Sequence, residues 1–310
     1  MSSQNVGDKE PQRGSHSRFH ITPVRRVIAV LAIFLACLLL VYSGEVARRA
    51  RFAIVGNVES EGLTIFLNPA DKVITQMLMD SGTYEPETTA TIHDLLGPGD
   101  TFIDVGANIG WFTLIASREV GDQGRVVAFE PEPQSFEFLR RNVEFNKCSN
   151  VILEEKALSD KPGNVWLYIA DTNKGGHSFF ESPERSARVK VQALPLDEYL
   201  KGMEGEIDLV KIDTEGAEGI ILEGMRDAIQ TRQRMSIVLE FTPGVLREGG
   251  RDPAAFFDPL LDSDYKLYVI DSPSGSLVPV TRVQIPKLVE MLETARAHVN
   301  VLLKRDALSP

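Results

Sequence analysis

Asp100-Thr-Phe-Ile-Asp-Val-Gly-Ala-Asn-Ile-Gly110, followed by Val126-Val-Ala-Phe-Glu130, decides the fold of this chain. An apolar run ends in a Gly-x-Asn-x-Gly turn and a helix-like segment follows. A second apolar run then ends in a carboxylate. An α/β domain holds an adenosine-bearing cofactor in this way: glycines bring backbone close to the ligand, and the acid ending the second strand accepts hydrogen bonds from both ribose hydroxyls. Gly106 and Gly110 are four positions apart, so the dinucleotide spacing Gly-x-Gly-x-x-Gly is absent and a nicotinamide oxidoreductase is excluded.

Working outward, strands and helices alternate, which implies a mostly parallel sheet. Strands are expected over 101–105, 125–129, 151–156, 208–212, 236–241, 266–270 and 298–304. Helices are expected over 73–79, 89–96, 111–118, 134–146, 217–231 and 287–296, by apolar spacing and by the Gly or Pro that ends several of them. An added pair of strands over 164–170 and 188–193 flanks the Gly175-Gly176 loop.

The turn resembles motif I of S-adenosylmethionine-dependent methyltransferases, and the wording is that of the FkbM family. Ser81-Gly-Thr-Tyr-Glu-Pro86 looks like the family's segment before motif I, Lys211-Ile-Asp-Thr-Glu-Gly-Ala-Glu218 is similar to its signature, and His298-Val-Asn-Val-Leu-Leu-Lys304 resembles its closing strand. The resemblance covers roughly residues 68–304. It implies the Rossmann-like class I methyltransferase fold: a mostly parallel seven-stranded sheet whose last strand is inserted antiparallel. It also implies S-adenosyl-L-methionine as cofactor, with Gly106, Asn108 and Gly110 at its methionine end beside Asp104, and Glu130 on its ribose. Glu85 would approach the charged end, and Ala157 and Leu158 would wall the adenine. The acceptor it implies is a hydroxyl, of a sugar, a glycan or a lipid-linked glycan. A non-catalytic cofactor-binding or scaffold protein is the alternative reading.

Methyl transfer needs few catalytic groups, because the sulfonium is already activated and the enzyme mainly aligns the acceptor. A base to take the acceptor proton is the expected addition. Asp213, at the end of an apolar run, is placed to orient the acceptor, take its proton or hold a metal; Glu240 ends the next strand in the same way. Glu215 and Glu218 read equally as acids at the helix start near Gly216. His177, in Gly175-Gly-His-Ser178, has the ordinary pKa of a general base, against the plainer reading of a solvated loop histidine. Lys211 alternates with apolar neighbours and needs a charged partner, for which Glu240 is the candidate. Asp213 and Glu240 offer two oxygen ligands with no third at a convincing spacing, so no metal is assigned.

The net charge of −11, from 33 basic and 44 acidic residues, and the lack of a basic stripe exclude a nucleic-acid backbone as substrate. Cys37 and Cys148 form neither a disulfide framework nor a metal spacing.

Residues 1–26 read as a polar, disordered leader. Val27–Gly44 is free of charge; its eighteen residues would rise about 27 Å as helix, close to a bilayer core, with Arg25-Arg26 before and Arg48-Arg49 after. A single-pass membrane anchor is favoured over a signal peptide cut after Ser43 or a buried helix. Residues 45–67 would be a juxtamembrane segment and 68–310 the catalytic domain. The five cations before the span and three just after lean towards an inside N-terminus. Cytosolic synthesis of the cofactor and the lack of any Asn-x-Ser/Thr site lean the other way, so the sequence leaves the side of the membrane open.

Overall fold

The computed structural model describes residues 56–170, 176–183 and 185–306. The chain divides into a unit over Met1–Ile54 and a unit over Val55–Pro310. The polar leader and the proposed anchor Val27–Gly44 lie outside the described residues. Among the described residues, no helix is long and apolar enough to cross a membrane.

The described chain opens with a hairpin, β1 (Asn57–Ser60) and β2 (Leu63–Phe66), turned at Glu61-Gly62 with both φ positive. Such a turn matches the twist of paired strands. Its second strand is tied to the domain by side-chain amides: Asn142 Oδ1 accepts from the Phe66 N–H at 2.7 Å and Asn146 Oδ1 from the Thr64 N–H at 3.0 Å. Two helices follow, α1 (Ile74–Ser81) and α2 (Pro86–Leu95). Asp71 Oδ1 accepts from the Val73 and Ile74 N–H groups and so starts the first.

The central layers come next: β3 (Thr101–Val105), α3 (Trp111–Val120), β4 (Arg125–Phe129), α4 (Pro133–Phe145) and β5 (Val151–Glu154). A small sheet of β6 (Ala157–Leu158), β7 (Gly163–Ile169) and β8 (Ala187–Leu194) stands beside them, with β7 and β8 the expected added pair. Then come α5 (Leu196–Leu200), β9 (Leu209–Ile212), α6 (Glu218–Glu223) and α7 (Arg226–Thr231). The single helix expected over 217–231 is broken at Gly224-Met225. A Cβ at Gly224 would lie 2.0 Å from the Ser159 carbonyl oxygen. Asp197 restarts the helix by accepting from the Asp227 and Ala228 N–H groups, each at 2.9 Å. Tertiary contacts, not local propensity, set that break.

The chain closes with β10 (Ser236–Phe241), α8 (Pro243–Glu248), α9 (Asp258–Leu261), β11 (Lys266–Ile270), β12 (Leu277–Val280), α10 (Ile285–Ala295) and β13 (Val299–Lys304). The sheet order is β12-β11-β13-β10-β9-β3-β4-β5. Strands β5, β4, β3, β9 and β10 are parallel, and β13 runs antiparallel between β10 and β11 as expected. The expected count of seven is corrected to eight among the described residues: β12 adds an antiparallel edge. It escapes a sequence reading because Pro279 lies within it, and proline in a strand is confined to edges. The core lies on both faces of the parallel strands, where Phe102, Ile103, Val127, Leu209, Val210, Ile237 and Leu239 are inaccessible to solvent.

Candidate active site

Parallel α/β sheets bind ligands outside the carboxyl ends of their strands. A cleft lies there, over the ends of β3, β4, β9 and β10. Its floor is the turn after β3. The N–H groups of Gly106 and Ala107 both donate to the Phe129 carbonyl at 3.0 Å, bending the chain over β4. Gly106 has φ +82, and a Cβ there would sit 1.9 Å from the Asp213 carbonyl oxygen. Only glycine lets the two strand ends approach this closely.

Glu130 is the best-fixed acid of the cleft. One oxygen accepts from the Asn108 N–H and the other from the Glu132 N–H, both at 2.8 Å. Burial nonetheless pushes its pKa up to about 8, outweighing those two donors. Asn108 Oδ1 and Asp104 Oδ1 are buried with no protein partner among the described residues. Asp104 Oδ2 accepts from Thr113 Oγ1 at 2.6 Å, and burial raises its pKa against the pull of Lys211. Unsatisfied acceptors beside a glycine turn and an acid at the end of β4 suit a ligand rich in N–H and O–H donors. Ala157 and Leu158 join Phe129, Pro131 and Leu167 as an apolar wall next to Glu130.

The other end of the cleft is acidic. Lys211, 3% exposed in its side chain, places Nζ 2.9 Å from Asp213 Oδ2 and 4.4 Å from the centre of the Phe112 ring. Its partner is therefore Asp213, not the expected Glu240. Glu240 faces His298 Nε2 at 3.5 Å and accepts from Thr242 Oγ1 at 3.3 Å. Burial, with Asp213 and Glu215 nearby, raises its pKa well above the carboxylate range.

The two acids left ambiguous by the sequence separate here. Glu218 is structural: its Oε1 accepts from the Thr214 N–H, the Thr214 hydroxyl and the Gly216 N–H at 3.0–3.1 Å. Glu215 instead lines the cleft.

His177 lines the cleft, but the base role expected of it meets an obstacle. Its Nδ1 accepts from the Ala170 N–H at 3.0 Å, so the neutral ring carries its proton on Nε2 and has no free basic nitrogen.

Gly106, Asn108, Glu130, Ala157, Leu158, His177, Asp213 and Glu240 thus share one cleft. Three expected residues stand behind it. Asp104 is buried beneath the turn, and Gly110, at φ +95, packs against Leu139. Glu85, itself left-handed at φ +44, accepts from Asn300 Nδ2 at 2.9 Å. Tyr84 was missed although it lies within the quoted Ser81–Pro86 segment; it fills the place beside Asp213 and Glu240. Among the described residues, no group of three or more His, Cys, Asp or Glu could hold a metal ion.

The chain's residues 104–267 match the family model described as the methyltransferase FkbM domain. It is 28% identical over 198 residues to Methyltransferase 1 of Beauveria bassiana, covering 56% of this chain and 77% of that one. Hexuronic acid methyltransferase AglP of Haloferax volcanii is 31% identical over 149 residues, 47% of this chain and 57% of its own. The 31-O-demethyl-FK506 methyltransferase FkbM of Streptomyces tacrolimicus is 28% identical over 174 residues, 46% of this chain and 65% of its own.

Proposed function

Because the chain belongs to the FkbM methyltransferase family and uses S-adenosylmethionine, we propose that it methylates a hydroxyl group, of a sugar or a membrane-linked glycan. The observation that carries this reading is the carboxylate-lined end of the cleft, where Asp213 and Glu240 face the glycine turn. Hydroxyls are donors, and carboxylates orient them. The names of two relatives, one for a hexuronic acid and one for 31-O-demethyl-FK506, support it.

When bound, the cofactor supplies a methyl group activated by positive sulfur. In this reading Glu130 holds the ribose, the wall of Ala157 and Leu158 takes the adenine, and Gly106 and Asn108 face the methionine end, with Asp104 buried beneath their turn. Asp213, held by Lys211 Nζ at 2.9 Å, orients the acceptor hydroxyl. Glu240, set between His298 and Thr242, lines the same end of the cleft. Val27–Gly44 anchors the enzyme beside a membrane-borne acceptor.

The test is transfer of a deuterated methyl group from the cofactor to a panel of soluble and lipid-linked glycans, read by mass spectrometry. Label on oxygen is the expected result, and label confined to nitrogen or sulfur would sink the reading. Retention of the full chain in membranes after alkaline extraction tests the anchor, and protease protection reports its side.

A further inference from the structure

The reading above leaves the acceptor's proton without a destination. Asp213 is engaged by Lys211, His177 has its basic nitrogen taken by Ala170, and Glu240 is turned to His298 and Thr242. Glu215 differs from all three. It lines the cleft at the acidic end, and among the described residues its carboxylate makes no hydrogen bond, so it holds nothing together.

Its backbone is strained as well. Glu215 sits at φ +52, in the left-handed region where glycine is at ease and other residues are not. Neighbouring groups hold it there: the Ser178 hydroxyl donates to the Glu215 carbonyl at 2.6 Å, and Glu218 takes the Gly216 N–H. Glycine would relax this position. A side chain kept in a strained conformation, in a catalytic cleft and without a structural bond, points to its chemistry.

We propose that Glu215 is the general base of methyl transfer: its carboxylate takes the acceptor hydroxyl's proton as the oxygen–carbon bond forms. The carbon–sulfur bond breaks with its electron pair staying on sulfur, and the proton passes from Glu215 to solvent. This rests on the hydroxyl reading above. Burial, then Asp213 and Glu218, push the Glu215 carboxyl up to about 8, against the pull of Arg185 and with Glu85 also facing it. Glu240 is a further carboxylate neighbour, and Lys211 lies behind Asp213. A base titrating near the working pH combines availability with proton affinity.

The test uses the full chain, its Glu215→Gly and Glu215→Gln variants, and S-adenosylhomocysteine as the bound probe. Glu215→Gly is expected to melt no lower than wild type, because it relieves the backbone. Both variants are expected to bind the probe within about twofold of wild type. In protein labelled with carboxyl-¹³C glutamate, the resonance absent from Glu215→Gln is expected to titrate near pH 8. Transfer to the hydroxyl acceptor found by the glycan panel is expected to fall about 100-fold or more. A midpoint in the ordinary carboxylate range, a tenfold loss of probe affinity in Glu215→Gly, or undiminished transfer would each overturn the assignment. Failure of the hydroxyl reading is recognised separately, by label on nitrogen or sulfur.

Discussion

The backbone N–H of Asn108 donates to a carboxylate oxygen of Glu130 at 2.8 Å, so the turn after one strand fixes the acid that ends its neighbour. The second oxygen is fixed by the Glu132 N–H. Glu130 therefore stands ready before any ligand arrives, and ordering it costs little on binding.

Removing that acid tests the cofactor site directly. Each hydrogen bond from a ribose hydroxyl to a charged acceptor contributes about 1.5–3 kcal/mol. Glu130→Ala is expected to weaken S-adenosylmethionine binding about 100-fold or more, measured by calorimetric titration. A loss smaller than about threefold would remove Glu130 from the ribose site.

Cofactor affinity should also depend on pH, with a defined sign. The free protein holds a proton on Glu130 up to about pH 8, whereas the ribose hydroxyls need an ionised acceptor. Binding must expel that proton below the midpoint, so affinity rises with pH and levels off above it. 5′-Methylthioadenosine carries the ribose and adenine without the titrating amino acid, and isolates the effect. Its affinity is expected to rise roughly tenfold or more from pH 6.5 to 8.5. A flat profile contradicts the assignment.

Lys211 and Asp213 form a pair in which one member is buried and the other reaches the cleft. Removing one partner of a buried pair costs about 3–5 kcal/mol, because a charge is left uncompensated. Lys211→Met is expected to destabilise the domain by that amount in urea unfolding. Adding Asp213→Asn should recover part of the loss, and additive penalties would show that the two do not interact.

The two glycines of the turn should differ. A methyl group at Gly106 meets the Asp213 backbone at 1.9 Å, whereas one at Gly110 meets the flexible end of Leu139 at 2.6 Å. Both substitutions strain a positive φ, but only the first displaces a strand end. Gly106→Ala is expected to cost about 2–4 kcal/mol and to impair cofactor binding. Gly110→Ala should cost less and leave affinity near wild type, as thermal melting and calorimetry would record.

Much of the sheet was legible in the chain. The strands over 101–105, 125–129, 236–241 and 266–270 fall where expected. The edge strand β12 and the hairpin over 57–66 were not. They are short and half-exposed, and edge strands carry little of the apolar pattern that marks buried ones. The break at Gly224 was hidden for another reason: residues on either side have helical spacing, and the interruption comes from Ser159 and Asp197, far away in the chain.

The sequence by itself determined the alternation of strands and helices, the glycine turn and the acid that follows it, because burial pattern and backbone freedom are local properties. Only the tertiary structure decided what each carboxylate does. Glu218 locks a loop, Asp213 answers Lys211, Glu130 rests on Asn108, and the Glu215 carboxylate lines the cleft with no hydrogen bond among the described residues. In the sequence these are four similar acids. Their hydrogen bonds, burial and proton affinity arise only where distant strand ends converge.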